Sequence, residues 1–222
     1  MAPRWTFVVE HLDPELGPWS ALEYKTIDQE TKQAGCDFIL SSVPDSLLQS
    51  QELQDVGASA RSDSVEVYFA DIKDKICLLD PAAKQELEPA DAQKFEVFLF
   101  GGILGDDPPR DRTSELRKKG FAGRRLGPVQ MTTDTAVRVT RAVVLEGQKL
   151  EDVPYVDFPE LKLNEHESTE MPFRYVVDKN KEPIMPNGMI DLIKADADKG
   201  FDQLDFADET DGMNGLAVTD SK

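Results

Sequence analysis

Little in this chain suits the commoner catalytic schemes. It has two cysteines, Cys36 and Cys77, and two histidines, His11 and His166. Two cysteines without a CxxC or Cys/His cluster support neither a disulfide framework nor a metal site. Both lie in apolar stretches, where a buried thiol is the expected role. A His-centred hydrolase would depend on one of two residues, and neither has a partner pattern, so both are read as structural or solvated. No G-x-x-x-x-G-K-[ST] loop cradles a nucleoside triphosphate, and neither a GxSxG elbow nor an HExxH helix occurs. The chain also lacks 18 consecutive apolar residues and an N-terminal secretion pattern, which predicts a soluble protein of the cytoplasm or nucleus.

Positive charge is scarce as well. Against 43 acidic residues stand 25 basic ones, a net charge of −18. Nucleic-acid binding driven by whole-protein charge is disfavoured, and a cationic partner gains from the field. The imbalance is uneven: residues 110–149 hold ten Lys/Arg against four Asp/Glu, whereas 151–222 hold seven against eighteen. A local basic face on an acidic protein stays open as a reading.

Residues 5–10 (WTFVVE) are dense in aromatic and β-branched types and predict a first buried strand. A helix is expected over 19–34, stopped at Gly35, and a second strand over 36–41 (CDFILS). Strand, helix, strand in that order indicates an α/β layer. Further on, 45–64 reads as a short helix and a surface loop, and 65–70 as an edge strand. Strands are expected at 76–79 (ICLL) and 95–100 (FEVFLF), with a short helix at 82–87 between them. Helices are predicted at 111–119, at 134–146 with Thr132 or Thr133 as cap, and at 188–194. Segments 155–158 and 173–177 read as short strands. One domain is expected over 1–201, followed by an acidic, disordered tail over 202–222.

Two segments stand out. The run Gly101-Gly102-Ile103-Leu104-Gly105-Asp106-Asp107 follows the strongest strand, and its glycines let backbone groups approach a ligand closely. A bare strand-to-helix turn is the alternative. The run from Arg124 through Gly127 to Asp134 sets a glycine turn, several hydroxyls and a helix N-terminus together, where free backbone donors suit a carboxylate, a ribose oxygen or a phosphate. An ordinary capped helix is again the alternative.

FLFGGILGDDPPRDRT at 98–113 and RRLGPVQMTTDTAVRVTRAVV at 124–144 resemble the knotted SPOUT class of methyltransferases. The likeness is closest to its fungal branch of protein arginine methyltransferases, which modify a small-subunit ribosomal protein. VVEHLDP with the following ALEY, LLDP at 78–81, VDFPEL at 156–161 and TEMPFRYVVD at 169–178 extend it over residues 4–195. The resemblance implies an α/β fold, a mainly parallel sheet with helices on both faces, whose C-terminal part is threaded into a deep trefoil knot, an exception to the rule against knots. It also implies S-adenosylmethionine as methyl donor, no metal, a cytoplasmic enzyme, a monomeric state and a basic ribosomal protein as partner. Carried onto this chain, the donor-binding residues are Leu79, Pro81, Gly101, Gly102, Leu104, Gly105, Arg125, Leu126, Gly127, Met131, Thr132 and Thr133.

An arginine acceptor is a poor nucleophile, because its lone pairs are delocalised and its pKa exceeds 12. Carboxylates beside it would bind it bidentately and help receive the lost proton. Asp106, Asp107 and Glu170 are the catalytic candidates. Asp134 is read as capping or orienting the following helix, and Glu10, after a buried strand, either as reaching the same rim or as a surface or structural pair. Arg110, Arg112, Arg124 and Arg125 are open to donor binding, to a phosphate, or to internal ion pairing. Two further readings remain, an RNA methyltransferase of the same class and a non-catalytic adaptor for a basic partner.

Overall fold

The computed structural model describes residues 5–101, 113–164 and 167–196. Strands β1 (Thr6–Glu10), β2 (Asp37–Ser41), β3 (Ser59–Ala60), β4 (Ile76–Leu79), β5 (Val97–Gly101) and β6 (Ala122–Arg124) form one sheet. Its order is β3-β2-β1-β5-β4-β6, and every pairing is parallel. Parallel neighbours need crossover connections, so such a sheet is covered on both faces and its strands are apolar throughout.

Side chains alternate along each strand and divide the core in two. Phe7, Val9, Phe38, Leu40, Leu79, Phe98 and Phe100 face one layer. That layer is built from α1 (Pro18–Gln33), the short helices α2 (Asp45–Leu48) and α3 (Gln51–Val56), and one later helix, α6. Val8, Ile39, Ile76, Leu78, Val97 and Leu99 face the other, where α4 (Val65–Tyr68) supplies Val65 and α5 (Ser114–Lys118) supplies Leu116. The expected α/β sheet with helices on both faces is therefore present. Both cysteines are buried, and burial pushes the Cys77 thiol up to about 12, which leaves it inert.

Helix α6 (Thr133–Val144) packs on α1 and on the sheet through Val137 and Val143, while Val139 faces Val153 and Val176 on another flank. Beside it the chain forms two antiparallel ribbons. One pairs β7 (Tyr155–Asp157) with β10 (Arg174–Val176), and the other pairs β8 (Glu160–Lys162) with β9 (Ser168–Glu170). A last helix occupies 189–196. The tail from 202 lies outside the described residues.

Two expectations are overturned. Residues 65–70 do not make an edge strand: α4 and a 3-10 stretch, Ala70–Lys75, occupy them, and β3 takes the edge. The cause is a tertiary contact. The buried Glu10 carboxylate accepts the Val65 N–H at 3.0 Å, along with the hydroxyls of Ser41 at 2.5 Å and Ser42 at 2.7 Å. It thereby holds the first turn of α4, where Val65 and Phe69, four residues apart, share a buried face. Residues 82–87 are likewise not helical. A turn on Asp80 leads to Glu86, which bridges Arg125 in parallel, with Arg125 N–H to Gln85 O at 2.9 Å and Leu87 N–H to Arg125 O at 3.0 Å. Strand-like pairing with the later loop outweighs weak local helix propensity there.

Glu10 is thus structural, as one of the two sequence readings held. Glu10→Ala leaves the Val65 N–H and two hydroxyls without their acceptor and should cost about 1–3 kcal/mol. Denaturant unfolding measures the loss, and amide exchange should speed up first at Val65 to Phe69.

Candidate active site

Parallel pairing brings the C-terminal ends of β4, β5 and β6 to the same edge of the sheet, where ligands bind in open α/β folds. A cavity of about 550 Å³ lies there. Its first wall is Leu79, Asp80, Pro81 and Ala82, its second Phe100, Gly101, Thr113 and Arg117, and its third runs from Arg125 to Met131 with Thr133 and Ala136. The size suits a nucleoside-like ligand. Apolar side chains offer a surface for a flat ring system, and the turn at Gly127 exposes backbone groups.

The geometry explains both glycines. A Cβ at Gly101 would come within 2.9 Å of Thr113 Cγ2, so only glycine lets β5 run beside the start of α5. Gly127 adopts φ +90°, open to glycine at no steric cost.

Asp80 binds the first two walls together. Its carboxylate, 3% exposed, accepts from Ala82 N–H at 2.9 Å, Thr113 Oγ1 at 3.2 Å, Arg117 Nε at 2.5 Å and Arg117 Nη2 at 2.7 Å. Burial alone would raise its pKa, but the bonds and charge of Arg117 with the Ala82 N–H outweigh it and hold the group below the usual carboxylate range. The third wall is tied to β10, whose Arg174 N–H donates to Gln130 O at 2.8 Å and whose side chain grips Asp157 at 2.6 and 2.8 Å.

Of the donor-binding residues read from the sequence, Leu79, Pro81, Gly101, Arg125, Leu126, Gly127, Met131 and Thr133 line the cavity. Thr132 is buried as the N-cap residue of α6, but its hydroxyl donates to Thr135 Oγ1 rather than capping the helix. Gly102, Leu104 and Gly105 lie outside the described residues, as do the catalytic candidates Asp106 and Asp107 and the guanidinium groups of Arg110 and Arg112. Glu170 is exposed on β9, and the cavity wall does not include it. Sequence reasoning reached Asp80 and Gln130 only as members of the loops Leu79–Pro81 and Arg125–Thr133, without a role for either, and passed over Phe100, Thr113 and Arg117. A carboxylate directly after a buried strand was the available signal for Asp80.

Among the described residues, the cations of the basic segment are paired with carboxylates: Arg117, Lys118, Lys119, Arg124, Arg125, Arg138, Arg141 and Lys149 each meet one. Arg124 is fixed on Asp91 by two bonds of 2.8 Å, which raise its pKa and remove it from ligand binding. Arg125 differs: one Nη bonds Glu86 at 3.1 Å, while its buried Nε has no partner. Behind the third wall, Glu23 of α1 accepts the Thr133 N–H at 3.2 Å and lies beside Asp134. His11 is buried with Nδ1 3.1 Å from the Tyr24 hydroxyl. No group of three metal-ligating side chains occurs among the described residues.

Asp80→Asn should cost about 1–3 kcal/mol at neutral pH, a buried-pair loss reduced by the exposure of Arg117. A depressed native pKa places this contribution above the unfolded value of about 3.9, and it disappears as pH falls through the native value. The stability gap between wild type and variant in urea melts should therefore narrow in acid.

Residues 6–200 match the family described as Protein arginine N-methyltransferase SFM1-like. The chain is 43% identical over 211 residues to Protein arginine N-methyltransferase SFM1 of Saccharomyces cerevisiae (strain ATCC 204508 / S288c), covering 89% of this chain and 98% of that protein. It superposes on the yeast arginine methyltransferase SFM1 complexed with SAM with a TM-score of 0.78 at 42% identity, over 87% of this chain and 91% of that one. For the complex with SAH the TM-score is 0.77 at 43% identity, over 85% and 94%. With its parallel sheet and its cavity at the ends of β4, β5 and β6, the chain belongs to the SFM1-like family of protein arginine N-methyltransferases.

Proposed function

We propose that this chain is an S-adenosylmethionine-dependent protein arginine N-methyltransferase acting on a basic protein of the small ribosomal subunit. Family membership supports the reaction class. The three-walled cavity supports the cofactor, with apolar surface for the adenine, backbone groups around Gly127, and the unpartnered Arg125 Nε as a donor for the amino-acid carboxylate. When bound, S-adenosylmethionine supplies a methyl group activated on a sulfonium. The protein's own task is alignment of acceptor and donor and exclusion of water.

The observation that favours protein over RNA is the pairing of every described cation in 110–149 with a carboxylate. Paired cations gain little from a phosphate backbone. The overall charge of −18 instead attracts a basic protein and speeds encounter without selecting one arginine. Asp106 and Asp107, which follow the wall residue Gly101 in the chain, and Glu170 on β9 are the carboxylates we assign to steering the acceptor. We assign the C-terminal trefoil knot, the monomeric state and a cytoplasmic location on the same family likeness.

Transfer of a labelled methyl group from S-adenosylmethionine into ribosomal material, divided afterwards into protein and RNA, tests the reading. Label should enter a small-subunit protein and yield methylarginine on hydrolysis; label confined to RNA would overturn it. Gly127→Ala, forced into a positive φ at a cost of about 1–2 kcal/mol, should raise the KM for the donor by roughly five- to twentyfold.

A further inference from the structure

The sheet order places a second opening on the edge that holds the cavity. Strand β2 lies on one side of β1, whereas β5 and β4 lie on its other side, so the order reverses between β1 and β5. Ligands of open α/β sheets collect at the carboxyl ends of the strands about such a point. The donor cavity takes the β5 and β4 side. On the β1 and β2 side, the loop after β1 and the short helices after β2 enclose a groove of about 290 Å³, a volume below that of cofactor sites. Leu16 and Leu47 at its floor pack into the core layer that also holds Phe100 and Leu79, so groove and cavity share one face of the sheet as well as one edge.

The groove is an apolar trough with an acidic rim. Pro14, Leu16 and Leu47 supply the apolar part, and the exposed Glu15 and Glu52 stand at its borders. Neither carboxylate has an ion pair or a hydrogen bond among the described residues. That sets them apart from Glu115, Asp80 and Glu30, which meet lysine or arginine. The segments that build the groove supply no cation of their own: residues 5–24 and 33–60 each contain four Asp/Glu and neither Lys nor Arg. Leu12, 44% exposed, lies in the chain between the end of β1 and Pro14 and adds an apolar step on the way to the trough.

Such a trough fits the side chain of lysine or arginine, whose methylene stem lies on apolar surface while its charged head stays at the wet rim. We propose that this groove docks a second basic residue of the acceptor protein, to one side of the arginine that is methylated. The inference rests on the arginine methyltransferase reading above and adds to it a basis for choosing among arginines, which net charge alone does not supply. The spacing follows from the sheet. From β2 to β4 there are three strand intervals, roughly 14 Å at about 4.8 Å each, and an extended peptide advances about 3.4 Å per residue. The docked residue therefore lies about four positions from the acceptor arginine. Both carboxylates act at a wet rim, so they speed and orient docking rather than lower the barrier to transfer.

The test compares two full-chain double variants that remove the same charge. Glu15→Gln with Glu52→Gln alters the groove, and Asp71→Asn with Asp74→Asn alters acids in the stretch before β4, at the opposite edge of the sheet. All four positions are exposed, so both proteins are expected to fold, which urea melts check. Methyl transfer into small-subunit ribosomal protein is measured first with wild type, and the methylated arginine is mapped by mass spectrometry. The groove variant should raise the acceptor KM about three- to tenfold, the worth of two exposed ion pairs, with kcat and calorimetric S-adenosylhomocysteine affinity within about twofold of wild type. Added salt should narrow that difference, and the variant at Asp71 and Asp74 should keep the wild-type KM. In the mapped acceptor protein, changing the basic residue about four positions from the arginine to Gln should raise the KM of wild type and leave that of the groove variant unchanged. Three results overturn the docking site while transfer by wild type keeps the arginine methyltransferase reading standing: an unchanged KM in the groove variant, an equal rise in the variant at Asp71 and Asp74, or a flanking-residue effect as large in the groove variant as in wild type. A wild type that methylates no protein refutes that reading, and the docking site with it.

Discussion

Four hydrogen bonds converge on the carboxylate of Asp80, and the shape of the site depends on them. A parallel sheet guarantees only that the loops after β4, β5 and β6 emerge on one side. It does not bring them together. Asp80 does so by holding the turn after β4 to Thr113 at the head of α5 and to Arg117 in its last turn, while Gly101 lets β5 approach the same threonine. The bridge between Glu86 and Arg125 then attaches the loop after β6. With those links made, the three walls enclose about 550 Å³ rather than splaying into solvent.

Charge is distributed on the same logic. An acidic protein that gathers ten basic residues within forty invites an RNA-binding interpretation. Placement argues otherwise, because the sheet and helices set carboxylates from distant segments beside six of these cations. Asp80, Asp91, Glu30, Glu66 and Glu86 all precede the basic segment and reach it only through the fold. What remains for long-range attraction is the acidic surplus, which suits a basic protein surface.

The central strands were legible because buried parallel strands announce themselves as short apolar runs, although their order in the sheet was not. WTFVVE, CDFILS, ICLL and FEVFLF all became strands within a residue or two. The same rule failed at VEVYFA, where β-branched residues sit in a helix. Glu10, more than fifty residues earlier, supplies the acceptor that starts that helix, and no local pattern encodes such a partner. Residues 82–87 failed for the same reason, with Arg125 supplying the long-range pairing. The cavity was legible where glycine and strand ends mark it, from Leu79 and Gly101 to Gly127. Arg117 and Phe100 were not, since a helical arginine and a core phenylalanine acquire their meaning only from what lies across the crossover.

Arg124 and Glu23 show how differently buried charge is treated within one layer of this molecule. Arg124 has a full complement: two bonds to Asp91, a third to the Gly123 carbonyl, and the ring of Phe95 beneath its guanidinium at 5.3 Å. Such a group is finished, and nothing about it calls for a ligand. Glu23 and Asp134 instead rely mainly on each other and on neutral donors. Their neighbouring arginines are committed largely to Glu30, the Trp19 side chain and the Thr133 N–H donate to Glu23, and burial with the Asp134 charge pushes the Glu23 carboxyl well above its ordinary range. Folding alone does not favour such an arrangement, because apolar side chains of equal volume would pack there without the desolvation cost. Its bond to the N–H of Thr133, a residue of the donor wall, gives the pair a use that the Arg124 site lacks: it fixes the start of α6 against the cavity.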